Sequence, residues 1–460
     1  MIDIFPWEGG VTVKKTALFL PLVILLPFAT TPVVRGQNAT GVRDCLYVPD
    51  VSLPAMTPAD VLALSTPTPF PTPTPVAPTA VDTETRARQL GVYRGVWNAV
   101  NDHYVYPDFG GHDWQAIGSR YEALIQEGLS DDAFYAMMQA MLTELGDQHS
   151  YFQSPAEVAE EEAALARGQN FVGIGALFIP IADGSRAAII VVFPDSPAAE
   201  AGLLPHDTML SVDGGSIRDE YGISRTRGPE GTPVTLTVQR PGEAPRDVTL
   251  TRRRVAGFLP IDYCLVPGTR IGYILLPTFL DETIADQTRA ALQAMAPLDG
   301  LVLDNRMNGG GLGSVTQEVL SLFTSGLQGY FVTREGRDPL DLLPEDIGGS
   351  QTVPLVVLVG VDTVSYGEIL SGVLRLRGRA PIVGAPTLGN VEQLRRYDFE
   401  DGSRAWIASA AFEPLGQSNG IWENTGITPD VLVPTRWDLF TEANDPALAT
   451  AVELLSHRSP

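Results

Sequence analysis

The chain has 460 residues, 44% hydrophobic and 19% charged. That length accommodates two or three domains, and that balance excludes fibrous and wholly disordered classes. A formal net charge of −24 argues against nucleic acid or an anionic membrane surface as partner, because phosphates would be repelled. Lys14 and Lys15, the only two lysines, precede an apolar run over residues 17–29. That run is too short for a comfortable transmembrane helix, so residues 1–36 read as a signal peptide or a membrane anchor. Either reading predicts an extracytoplasmic protein: secreted, periplasmic, or held on the outer face of the cytoplasmic membrane. Residues 37–85 are a linker that contains the spacer TPTPFPTPTPVAPT over 66–79. Proline at that density favours an extended chain and builds no core. Two cysteines, Cys45 and Cys264, form either one disulfide or two separate buried thiols.

Residues 86–168 are predicted to be a helical region, with helical pattern through 84–165. Apolar residues recur at helical spacing through Leu90, Val92, Val96, Trp97 and Val100, then through Phe134, Met137, Met138, Met141, Leu142 and Leu145. Residues 169–256 switch to short strands with turn signals: FVGIGALF from Phe171, DSPAAEAGL from Asp195, DTMLSVDG from Asp207, and VTLTV from Val234. This set resembles a PDZ domain. The resemblance implies capture of a peptide C-terminus by strand addition, with the loop of Val172, Gly173, Ile174 and Gly175 receiving the carboxylate. The alternative is a small β-domain used only for packing. Over 257–440, continuous apolar runs at 271–276, 301–304 and 355–359 alternate with helical stretches. That pattern predicts buried parallel strands in an α/β layer with right-handed crossovers. Residues 441–460 are expected to be a tail helix.

Ser365 follows a buried strand and opens the helix that begins near Glu368. A serine there sits in the positive field of a helix N-terminus, which suits a nucleophile whose product carries an oxyanion. Ser-x-x-Glu is also a capping box, so the residue has a purely structural reading. The run Asn308-Gly309-Gly310-Gly311 follows another buried strand, and its glycines allow close backbone approach. The amide of Gly310 or Gly311, with that of Tyr366, is the candidate oxyanion hole. The histidines and cysteines show no metal-ligand spacing, so neither a metal nor a cofactor is expected.

Five features occur in order: the PDZ-like segment, LDNRMNGGG, TVSYGEIL, TLGN, and Glu423-Asn424-Thr425-Gly426-Ile427-Thr428-Pro429-Asp430. Together they resemble, over roughly 86–435, the peptidase family of C-terminal processing peptidases and the tricorn core protease. The resemblance implies a crotonase-like α/β peptidase core with Ser365 as nucleophile. Its Ser-Lys members carry lysine where this chain has Asn390, and no lysine remains downstream of Lys15. The tricorn-like branch uses serine, histidine and glutamate instead. His149, in LGDQHSY, and Glu423 match those positions. A structural role for His149, capping or packing the N-terminal helices, is the other reading. The expectation is an α/β multidomain serine endopeptidase that cleaves unstructured or C-terminal segments of polypeptides. The rival is an inactive peptide-binding scaffold whose peptidase core has decayed at Asn390.

Overall fold

The computed structural model describes residues 41–48 and 79–457, apart from 148, 160–161, 163–169, 182–184, 219–223, 257–258 and 418–420. The signal or anchor and the proline-rich spacer up to residue 78 lie outside the described residues. No described helix is long and apolar enough to cross a membrane.

Three helices follow Asp82: α1 (Thr83–His103), α2 (Trp114–Glu127) and α3 (Asp131–Thr143). Asp82, Asp113 and Ser130 cap their N-termini through side-chain oxygens. The Met-rich face of α3 packs with Val96, Trp114, Ile125 and Phe152 in one cluster. The helical pattern expected through residue 165 is interrupted after Thr143 and resumes at Pro155, with residues 155–159 helical. Gly146 turns the chain at φ 75°, and Tyr151–Gln153 forms strand β1. β1 pairs antiparallel with a distant strand of the C-terminal half, Tyr151 opposite Trp406. Tertiary pairing overrides local helical pattern here.

A β-domain follows. It comprises β2 (Asn170–Gly173), β3 (Ala176–Ile181), β4 (Arg186–Val192), the short α4 (Pro197–Glu200), β5 (Thr208–Val212), β6 (Pro233–Gln239), β7 (Arg246–Thr251) and β8 (Arg253–Ala256). β3 to β7 form one antiparallel sheet in sequence order, and β2 pairs with β8. β3 is therefore an edge strand of its sheet.

The central layer contains β9 (Asp262–Leu265), β10 (Ile271–Leu275), α5 (Ile284–Met295), β11 (Gly300–Asp304), α6 (Gly313–Ser321), the hairpin β12 (Gly326–Val332) and β13 (Arg337–Leu342), β14 (Leu355–Val359), α7 (Tyr366–Leu376), β15 (Ile382–Gly384), β16 (Gln393–Asp398), β17 (Arg404–Pro414), β18 (Val431–Leu432) and α8 (Pro446–Ser456). The main sheet runs β18-β15-β14-β11-β10-β9. Its pairs are parallel except for β9. Every residue of β10, β11 and β14 is buried, as a sheet covered on both faces requires. Alternation divides these strands between two cores. Leu301, Leu303, Leu355 and Val357 face Ile284, Val319 and Ile369, while Val302, Val356 and Leu358 face Leu448, Val452 and Trp437. The second sheet, β1-β17-β12-β13 with β16 on β17, joins the N-terminal helices to this layer. Cys45 and Cys264 are disulfide-bonded. This decides between the two readings of the cysteines and ties residues 41–48 to β9, where Cys45 N–H also donates to Leu265 O.

Candidate active site

Ser365 stands between β14 and α7 with φ 57° and ψ −124°. Positive φ is uncommon for a residue with a Cβ and marks a turn held by its surroundings. Glu368 does much of the holding. Its buried carboxylate accepts from Ser365 N–H (3.2 Å), Gly389 N–H (2.7 Å), Asn390 N–H (2.8 Å) and the Thr387 hydroxyl. The capping-box geometry is thus present, and the same glutamate binds the loop over 387–390 to the serine turn. Burial raises the Glu368 pKa against the pull of these donors.

The glycine run lies against this turn. A Cβ on Gly310 would fall 2.8 Å from Ser365 Cβ and 3.0 Å from Tyr366 N, so only glycine fits. Gly310 N–H donates to Asn308 Oδ1 at 2.9 Å. Gly310 C=O accepts from Phe279 N–H at 2.8 Å. In a trans peptide the following N–H points the opposite way, so the Gly311 amide turns from Phe279. Among the described residues, neither Gly311 N–H nor Tyr366 N–H has a partner. Tyr366 begins α7, where amides lack intrahelical acceptors.

His149 is positioned by its own turn. Asp147 accepts from the N–H groups of His149 (3.0 Å) and Ser150 (2.6 Å) and from the Ser150 hydroxyl (2.8 Å). Ala408 N–H on β17 donates to Ser150 Oγ at 3.0 Å. A buried Asx turn is thereby docked onto the second sheet. His149 is 7% exposed, and burial lowers its pKa to about 3, so the ring is neutral.

The carboxylate nearest the ring is one that sequence reasoning missed. Glu392 Oε2 lies 3.0 Å from His149 Nε2, near enough for an ion pair but not aligned as a hydrogen bond. Tyr106 O–H donates to Glu392 Oε1 at 2.8 Å. Glu423 accepts from Val391 N–H at 3.0 Å and lies beside Glu392. Atoms of His149, Glu392 and Glu423 all lie within 4.8 Å of one another. Burial first, then the neighbouring Glu392, raises the Glu423 pKa. Burial raises that of Glu392 as well, helped by the Asp147 charge and opposed by Glu423 and Tyr106. Asn390 is 4% exposed, and its Oδ1 has no partner among the described residues.

Elsewhere, Val172 and Gly173 lie in β2, opposite Arg254 and Arg253. Ile174 and Gly175 accept through their carbonyls from Ala198 N–H (2.8 Å) and Phe193 N–H (3.0 Å). The structure thus brings Ser365, Tyr366 and the glycines together at one turn and His149, Glu392 and Glu423 into one cluster, with the loop 387–392 bonded to Glu368 and to Glu423. It sets residues 172–175 apart in the β-domain.

The family model for peptidase family S41 matches residues 270–433, and that for the tricorn protease C1 domain matches 86–143. A carboxyl-terminal-processing protease of Synechocystis sp. is 28% identical over 361 residues, covering 76% of this chain and 82% of that one. Its counterpart in Picosynechococcus sp. is 30% identical over 347 residues, covering 74% and 81%. The solved photosystem II D1 C-terminal processing protease is 25% identical with a TM-score of 0.53, covering 75% of this chain and 93% of that one. With its glycine run, its serine turn and its relatives all in accord, this chain belongs to peptidase family S41, among the carboxyl-terminal-processing proteases, and is a serine-type peptidase.

Proposed function

We propose that the protein is an exported endopeptidase that cuts unstructured or C-terminal segments of polypeptides by a serine–histidine–glutamate mechanism. The observation that carries this reading is the loop 387–392. It is bound to the serine turn through Glu368, and it delivers Glu392 to the ring of His149. Ser365 Oγ attacks the scissile carbonyl. His149 accepts its proton and returns it to the leaving amine. With Nε2 turned to Glu392, Nδ1 is the nitrogen that takes the proton. Glu392, backed by Glu423, holds the ring and stabilises its cation. The amides of Tyr366 and Gly311 hold the oxyanion, and Gly310 keeps the turn in place. A neutral amide at Asn390 then leaves the histidine as the base in a chain whose only lysines precede residue 16.

The β-domain is read as a PDZ-like recruiting module. β3 offers an unpaired edge for strand addition, and the Ile174 and Gly175 amides have no partner among the described residues, as a carboxylate-receiving loop requires. The Cys45–Cys264 disulfide supports an oxidising compartment. The test is cleavage of a flexible protein substrate. Ser365→Ala and His149→Ala each abolish turnover, and a fluorophosphonate probe labels the wild type at Ser365. Full activity in His149→Ala removes the proposed base.

A further inference from the structure

One imidazole nitrogen and two carboxylates converge in the protein interior. His149 Nε2 and Glu392 Oε2 are both buried, and neither has a hydrogen-bond partner among the described residues, although they stand 3.0 Å apart. With the ring proton on Nδ1, both atoms present lone pairs, and two buried lone pairs in this arrangement call for a positive species between them. Glu423 supplies the third donor, and all three atoms lie within 4.8 Å of one another.

The donor set selects the ion. Magnesium and calcium take oxygen ligands, whereas one imidazole with two carboxylates suits zinc and its first-row neighbours. Metal–ligand bonds of about 2.0–2.2 Å hold donor atoms roughly 3–4 Å apart, so the 3.0 Å pair already fits and the third donor, within 4.8 Å, needs only a small shift. The outer hydrogen bonds of a ligand set are also in place. Tyr106 anchors Glu392 through Oε1, and Val391 N–H anchors Glu423. Such outer partners orient ligands before the ion arrives.

We propose that His149, Glu392 and Glu423 form a site for a divalent ion of the zinc class, and that its occupation silences the peptidase. The inhibitory half rests on His149 being the base proposed above. A neutral imidazole has one lone pair. A metal on Nε2 keeps the ring proton on Nδ1, so no lone pair remains to take the proton of Ser365. Nothing is oxidised or reduced, and the ion leaves by chelation.

Cobalt(II) tests the site, because its visible absorption reports coordination. Titrated into the full chain, Co2+ is expected to show the strong bands of a four- or five-coordinate ion, displaced by Zn2+, in wild type and in Ser365→Ala alike. Glu392→Gln weakens binding at least about 100-fold, the upper end of the effect of losing a ligand's outer partner. His149→Gln, an independent replacement on a different element, does the same. A spectrum that stays that of the aqueous ion in the wild type overturns the site, as does unchanged affinity in both variants. The two readings separate cleanly. Co2+ bound with hydrolysis undiminished keeps the site and removes His149 as base. No Co2+ binding, with His149→Ala inactive, removes the site and keeps the base.

Discussion

At Gly310 a single hydrogen atom in place of a methyl group decides whether the serine turn can form. Its φ is 86°, and an added Cβ would sit 2.8 Å from Ser365 Cβ, 3.0 Å from Tyr366 N and 3.1 Å from Val364 O. Gly310→Ala is expected to lower kcat by about 100-fold or more, the scale of losing one oxyanion donor. Strain of this kind costs about 1–3 kcal/mol of stability. Gly309→Ala is the control, since nothing lies within 4 Å of its added Cβ and its φ is ordinary. It is expected to leave kcat near wild type. Steady-state kinetics of the pair, with unfolding curves, check both. The sequence made the glycine run visible and left Gly310 and Gly311 as alternatives. Only the hydrogen bond from Gly310 N–H to Asn308 Oδ1 separates a glycine that packs from one with an open amide. Glu392 was not legible at all. Its meaning comes from a ring 243 positions upstream, and no local spacing encodes that contact.

Among the elements, β17 has the widest reach, pairing with β1, β12 and β16. Through it the histidine turn reaches the layer that holds the serine. The latch is Ser150, whose Oγ accepts from Ala408 N–H and donates to Asp147 Oδ2. Ser150→Ala strands a buried amide in the middle of β17. That costs about 1–3 kcal/mol, and kcat falls with it because the turn carrying His149 loses its dock. Denaturant unfolding beside kcat measures both. An unchanged midpoint would show that the contact does not hold the turn. The parallel strands were legible because burial on both faces writes a continuous apolar run, as at Leu355–Val359. β1 was not. Its three residues follow a helix and belong to a strand only because β17 lies beside them.

Over the whole molecule, the β-domain is fixed to the peptidase layer by a buried aromatic stack. His206, at a turn of the β-domain with φ 74°, stacks on Trp437 with centroids 4.0 Å apart and lies against Phe440. Its Nδ1 is 3.0 Å from Trp437 O, and Trp437 Nε1–H donates to Ile189 O in β4 at 3.0 Å. Beneath the stack, the Arg306 guanidinium lies 4.8 Å from the Trp437 ring and is paired with Asp304 and Asp445, all three buried. From the sequence His206 was only a turn residue, because its partner lies 231 positions away. Burial first, and then the Arg306 charge, hold the His206 pKa at about 3, against smaller opposing effects of Trp437 O, Asp304 and Phe440 O. The folded ring is therefore neutral, while an unfolded one takes up a proton below about pH 6.5. Between those values the unfolded state binds one more proton, so stability is fully present above pH 6.5 and is lost as pH falls toward 3. The slope from this group is about 1.4 kcal/mol per pH unit. His206→Phe keeps a ring on Trp437 and removes the titration. The excess stability of wild type over His206→Phe, measured by denaturant unfolding at pH 7, 6, 5 and 4, is expected to shrink at each step. A difference that stays constant across that range would mean the imidazole is protonated in place, and that the contact between the two domains tolerates a second cation beside Arg306.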